Sequence, residues 1–150
     1  MKKLHITLAL LFILFPVSCV ELSTEDDADQ FVGIYSMSIT ESVVWGSASG
    51  TLSSVGALTI TKINASKIAV NAQYGNNGEF FRTTGEVSGN MLALEGISTQ
   101  DSSGHITTTF STAELNGNIL TFYMYNGGTL KDNGIAYPYR STSMITAIKK

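Results

Sequence analysis

The sequence predicts an all-β fold: an eight-stranded antiparallel up-and-down meander closed into a barrel, with a two-sheet β-sandwich as the alternative. Three observations point there. Beyond residue 31, eight β-prone runs follow one another, separated by short clusters of Gly, Asn, Asp and Ser. No stretch sustains an apolar period near 3.6, so no helix is available for a parallel crossover and consecutive runs must pair antiparallel. A meander of this kind leaves two bare edges unless its first and last strands pair, and closure into a small barrel removes them. The same pattern also permits two stacked sheets.

The chain opens on Lys2 and Lys3, an apolar run from Leu4, and small residues ahead of Cys19, the single cysteine. That is the layout of a secretory signal. The run is shorter than the roughly 20 residues a membrane-spanning helix needs. Pro16, Val17, Ser18 and Cys19 resemble the lipobox of bacterial lipoproteins, which implies that residues 1–18 are removed and that Cys19 is acylated. An ordinary secretory signal is the alternative. Two or more acyl chains on Cys19 would tether the protein to a membrane without spanning it.

Glu21, Glu25, Asp26, Asp27 and Asp29 then crowd together with no basic residue among them. Residues 19–30 are therefore expected to be an acidic flexible tether. Acidic residues after the lipid site also resemble the surface-export signal of Bacteroidetes lipoproteins, a plain linker being the alternative. The expected location is the bacterial cell envelope, lipid-anchored at the outer membrane, with surface exposure following if the acidic stretch is an export signal and not if it is a plain linker.

Residues 31–150 form the expected barrel domain. Its carboxylates (Glu41, Glu79, Glu86, Glu95, Asp101, Glu114, Asp132) are matched one for one by its basic residues (Lys62, Lys67, Arg82, Lys131, Arg140, Lys149, Lys150). Such a neutral body offers nothing to nucleic acid. The first run, residues 31–39, sets Phe31, Gly33, Tyr35, Met37 and Ile39 on one face, with extension through Trp45 to a turn at residues 46–50. The second, 55–63, ends at the turn Asn64-Ala65-Ser66. The third has the cleanest period of two, Ile68, Val70, Ala72 and Tyr74 against Lys67, Ala69, Asn71 and Gln73. Gly75 to Gly78 turn the chain into the fourth, 80–87. The fifth, 91–97, precedes a turn at 101–104. The sixth, 105–115, aligns Ile106, Thr108, Phe110 and Thr112. The seventh, 119–125, is so apolar that both of its faces are expected to be partly buried. The last, 135–148, carries Pro138, where a bulge or bend is expected.

Gly33-Ile34-Tyr35 on the first strand, eight strands in the body and Arg140 on the last strand resemble the calycin group, and more narrowly the lipocalin-like domains of Bacteroidetes lipoproteins. In lipocalins a basic residue near the last strand packs over the tryptophan of a Gly-x-Trp motif. The resemblance implies that Tyr35 takes the tryptophan's place and Arg140 the basic one, a cation–π pair closing one barrel end.

Few residues suit catalysis. His105 is the one histidine of the body and sits beside a turn, and the serines near it are accounted for by turn and strand contexts. Glu86, Glu95 and Glu114 lie on adjacent hairpin strands, where paired carboxylates are conceivable but exposed strand positions are the plainer reading. With Cys19 assigned to lipid, no thiolate remains for a metal, a disulfide or a nucleophile. The expectation is a non-enzymatic binding protein without cofactor or metal, membrane-bound through its lipid and holding a small apolar ligand. Met37, Ala72, Phe122, Met124 and Tyr137 are the candidate ligand contacts. The alternative is a cell-surface lipoprotein that binds glycan or protein through exposed loops and aromatics, with Trp45, Tyr123, Tyr125 and Tyr139 outside.

Overall fold

The computed structural model describes residues 26–75, 78–101 and 104–150, and only the backbone of residues 79, 80 and 101. The signal segment 1–18, Cys19 and the start of the acidic stretch lie outside the described residues, as do turn positions 76–77 and 102–103. Ten strands follow in chain order: β1 (Gly33–Trp45), β2 (Ala48–Asn64), β3 (Lys67–Tyr74), β4 (Glu79–Ser88), β5 (Met91–Leu94), β6 (Ile97–Asp101), β7 (Gly104–Phe110), β8 (Ala113–Asn116), β9 (Ile119–Asp132) and β10 (Ile135–Lys149). There is no helix among the described residues.

Hydrogen bonding runs round a ring, β1-β2-β3-β4-β5-β8-β9-β10, which closes because β10 pairs with both β9 and β1. The eight-stranded antiparallel barrel is thus the observed architecture, and closure sets aside the sandwich. The fifth and sixth runs are each divided in two, at residues 95–96 and 111–112. Period-two alternation decides what faces inward. Tyr35, Met37 and Ile39 of β1, Ile68, Val70 and Ala72 of β3, and Leu120, Phe122 and Met124 of β9 are buried in one core.

The wall is not continuous. β4 is zipped to β5 from Ser88 opposite Met91 to Gly85 opposite Leu94. Two more bonds follow: the Glu95 N–H donates to Thr84 O at 2.8 Å, and Thr83 Oγ1 donates to Glu95 O at 2.6 Å. Beyond Glu95 no pairing joins β4 to β6 among the described residues. Instead β6 pairs with β7, and β7 stays on β9 from Gly104 opposite Leu130 to Phe110 opposite Met124. A lateral gap therefore opens between the first half of β4 and β6.

Several expectations are corrected. The expected turn at 46–50 is two residues, Gly46 and Ser47, and Ala48 to Gly50 are strand because β1 offers them a partner, Val44 lying opposite Ser49. Pro138 causes no bulge; it sits in register opposite Thr129, and its carbonyl accepts the Gly46 N–H at 3.1 Å. β9 is buried on one face alone: Tyr123 and Tyr125 are 41% and 43% exposed, because a barrel wall has only one inner side. At the break 111–112 the inward phase changes, so Thr112 is exposed while Ala113 and Leu115 are buried.

Residues 26–31, read largely as tether, cap one end of the barrel. Ala28 and Phe31 are fully buried, and the Ala28 N–H donates to Ala65 O at 3.2 Å. Lys62 pairs with Asp26 and, at 2.9 Å, with Asp29, while Asp27 accepts the Gly89 N–H at 2.8 Å. These carboxylates hold the Lys62 ammonium's pKa above its usual range. Asp26, Asp27 and Asp29 are thus spent on barrel-end contacts rather than on solvation alone.

The Tyr35–Arg140 pair does not exist. Register sets Tyr35 opposite Lys149 and Arg140 opposite Val44, more than half the length of β10 apart, and Arg140 is on the outward face. Tyr35 instead donates its buried hydroxyl to Phe31 O at 2.6 Å. Lys149 closes over Gly33, where a Cβ would come within 2.7 Å of Lys149 Cε, and donates to Gln30 O at 3.0 Å. The basic residue at this end is a lysine bonded to a carbonyl.

Burial pushes the Tyr35 pKa up to about 12. An unfolded tyrosine ionises near pH 10, so between about pH 10 and 12 the unfolded chain loses a proton that the folded chain keeps, and stability falls across that window. Tyr35→Phe should flatten this fall and, by leaving the Phe31 carbonyl unpaired, lower stability at neutral pH by about 1–3 kcal/mol in denaturant unfolding. The wall orientation is tested by neighbours on β9: Phe122→Ala should cost about 3–5 kcal/mol and Tyr123→Ala about 1 kcal/mol or less.

Candidate functional site

The two halves of the interior differ. Towards the capped end, large apolar side chains fill the space: Phe31, Tyr35, Leu58, Ile60, Ile68, Leu92, Leu120, Phe122 and Ile145 are essentially inaccessible. Towards the hairpin ends of β1–β2 and β9–β10 the inward positions become polar. Thr108 on β7, Asn126 on β9 and Ser141 on β10 face one another across the sheet. Thr108 Oγ1 donates to Asn126 Oδ1 at 2.7 Å, Asn126 Nδ2 donates to Ser141 Oγ at 2.9 Å, and the Tyr139 hydroxyl reaches Ser141 Oγ at 3.3 Å. Each polar group of this row has a partner, which is the condition for keeping it inside a barrel.

Between the packed half and this row lies a cavity of about 300 Å³, lined by Tyr74, Phe81, Arg82, Ile97, Thr99, Thr108, Met124 and Asn126. Its floor continues a chain of tilted rings, Tyr74 to Phe81 to Phe110 to Phe122, with centroids 6.4, 5.4 and 6.2 Å apart. Such contacts hold the rings in place and give the cavity a preformed apolar wall. Across from Met124, the Ser143 hydroxyl is buried with no hydrogen-bond partner among the described residues.

The cavity abuts the lateral gap. On the outer side of the same gap, a broad open groove of about 730 Å³ runs over Thr59, Thr61, Asn71 and Thr84 to Gly96. Arg82 and Ile97 border both spaces, so they stand at the opening. The groove is larger, but its floor is the threonine and asparagine side of the wall, whereas the interior space is the one walled by aromatic rings. At the fork where β4 and β5 part, Lys67 Nζ lies 2.9 Å from Glu95 and 3.9 Å from Glu86. The Thr84 hydroxyl, then Lys67, hold the Glu95 carboxyl below its usual pKa.

Of the predicted ligand contacts, Met124 lines the cavity. Met37, Ala72 and Phe122 belong to the packed core and do not, because at their level opposing side chains meet across the barrel and leave no space. Tyr137 is on the inward face but further out, edge-on to Trp45 with centroids 6.3 Å apart at the hairpin tips. Tyr74, Phe81, Arg82, Ile97, Thr99, Thr108 and Asn126 line the cavity as well and were not among the predicted residues. Tyr74 and Thr108 carry the right phase in sequence, but no local signal says which end of the barrel is open.

Nor do the groups considered for catalysis assemble. His105 Nε2 is 3.0 Å from Ser98 Oγ on the exposed side of the β6–β7 hairpin, and among the described residues no carboxylate orients the imidazole. Glu86 and Glu95 converge on Lys67, and Glu114 Oε1 accepts a 3.4 Å bond from Asn90. Among the described residues no group of three His, Cys, Asp or Glu could hold a metal ion. Of the aromatics considered for an exposed patch, Tyr123 and Tyr125 are on the outer face; Trp45 has the inward phase but is equally exposed at the hairpin tip, and Tyr139 is half-buried on the inward face.

The sequence matches no protein-family model and no curated protein. Among solved structures, the chain is similar to EF1p2_mFAP2b bound to DFHBI, with 14% identity and a TM-score of 0.56 over 85% of this chain and all of that one. A second likeness is to the S-type phycobiliprotein lyase CPES from Guillardia theta, with 12% identity and a TM-score of 0.39 over 87% of this chain and 94% of that one. At these identities the first likeness concerns the fold alone: the chain is an eight-stranded antiparallel barrel.

Proposed function

We propose that the chain is a non-enzymatic binding protein, held at a bacterial cell envelope by lipid on Cys19, which takes a small apolar molecule into the open half of its barrel. The observation that carries this reading is the interior cavity of about 300 Å³ where Tyr74, Phe81 and Met124 meet Thr108 and Asn126. An apolar wall supplies affinity in proportion to the surface it removes from water, and a few fixed polar groups orient the guest. Thr108 and Asn126 in the cavity lining support a guest with at least one hydrogen-bonding group. The filled capped half leaves no channel for a long straight chain, so a compact ring-bearing molecule suits the space best. That a barrel of similar fold is bound to DFHBI supports a ligand-binding role at the level of fold.

Titration with prodan, a compact environment-sensitive dye, tests the cavity. Saturable one-to-one binding is expected, and Ile97→Trp, which fills the space from the exposed strand β6, should weaken it about tenfold, equivalent to about 1.4 kcal/mol, with little change in Tm. No saturable signal, or one that Ile97→Trp leaves untouched, would remove the interior site. The anchor is tested separately by Cys19→Ser, which should move the protein from the membrane fraction to the soluble fraction.

A further inference from the structure

A second feature lies on the opposite side of the wall. Odd-numbered residues of β9 point outward, and Tyr123 and Tyr125 stack there with centroids 6.3 Å apart and planes 19° apart. The next outward position is Gly127, where an added Cβ would meet nothing within 4 Å. Gly127 lies between Arg140 on β10 and Thr107 on β7, and Tyr125 lies between Thr142 and Thr109. A shallow, open notch of about 390 Å³ lies over Gly127, bordered by Thr107, Thr109, Tyr125, Arg140 and Thr142. Tyr123 stacks beside Tyr125, and Tyr125 itself lines the notch.

The charge of this face is one-sided. The outward positions of β1, β7, β9 and β10 include Arg140, Lys131 and His105 but no carboxylate, in a chain whose formal net charge is −3. Arg140 makes no ion pair among the described residues. We infer that the Gly127 notch is a binding site for a carboxylate-bearing sugar, a uronate unit of an acidic polysaccharide. The pyranose C–H face would lie on the Tyr125 ring, its hydroxyls would meet those of Thr107, Thr109 and Thr142, and its carboxylate would take the Arg140 guanidinium, which matches a carboxylate in two-pronged geometry. A floor of glycine and threonine favours a hydroxylated ring over the large apolar anchors that a protein partner's hot spot would need. Two cations are too few for the phosphate-driven binding of nucleic acid.

The site is independent of the interior cavity, and the two are tested apart. Tetragalacturonate titrated into the folded chain should bind saturably and weaken with added salt, and its fully methyl-esterified, neutral form should bind at least tenfold more weakly. Arg140→Gln, Tyr125→Ala and Gly127→Val should each cause a comparable loss with an unchanged Tm, while Ile97→Trp should have no effect. Absence of saturable binding, equal binding of acid and ester, or indifference to Arg140→Gln would overturn the inference. So would binding of 4-hydroxybenzoate with none of the oligouronide, which would mark an aromatic acid site instead.

Discussion

Pairing of the first strand with the last, from Tyr35 opposite Lys149 to Trp45 opposite Tyr139, is the constraint on which the rest of this structure depends. It uses up the two edges that a meander would otherwise expose, and it turns a sheet with two sides into a wall with an inside and an outside. Once the ring is closed, the period of two assigns every side chain to one compartment or the other. Phe122 becomes core and Tyr123, its neighbour, becomes surface.

Closure also bounds the space inside. At the capped end the Ala28–Phe31 turn, the Tyr35 hydroxyl and Lys149 seal a volume that nine large side chains already fill. Beyond it the inward residues include the smaller, polar Thr108 and Asn126, and the space beside them is left partly open. The gap beside it has a mechanical origin. β5 follows β4 for four residue pairs, and after Glu95 the chain leaves with β7, which stays on β9. The interior cavity and the outer groove meet where these two pairings diverge.

The outer surface obeys the same geometry with opposite chemistry. Threonines and serines dominate it, as expected of strand residues facing water, and Tyr123 and Tyr125 stand out as an ordered pair. Gly127 continues their row without a side chain, and Arg140 stands across from it. One strand, β9, therefore carries Met124 and Asn126 to the interior cavity and Tyr125 and Gly127 to the exterior notch.

Much of the fold was legible in the sequence because strand alternation and turn chemistry are local. The eight runs, the inward set Tyr35, Met37 and Ile39, and the inward set Ile68, Val70 and Ala72 follow from residues two apart, and the absence of helical periodicity left antiparallel pairing as the remaining arrangement. The likeness of Tyr35 and Arg140 to a closing pair failed because it depends on register, and a strand of fifteen residues can bring either its first half or its last residue to β1's start. The site failed in part for a related reason. Residues of identical phase, such as Phe122 and Asn126, differ in role only through what faces them across the barrel, from strands distant in sequence. The sequence by itself determined which side chains point inward. Only the tertiary structure decided which of those meet an opposing side chain and which meet open space, because that depends on closure, on the capping turn and on where β6 parts from β4.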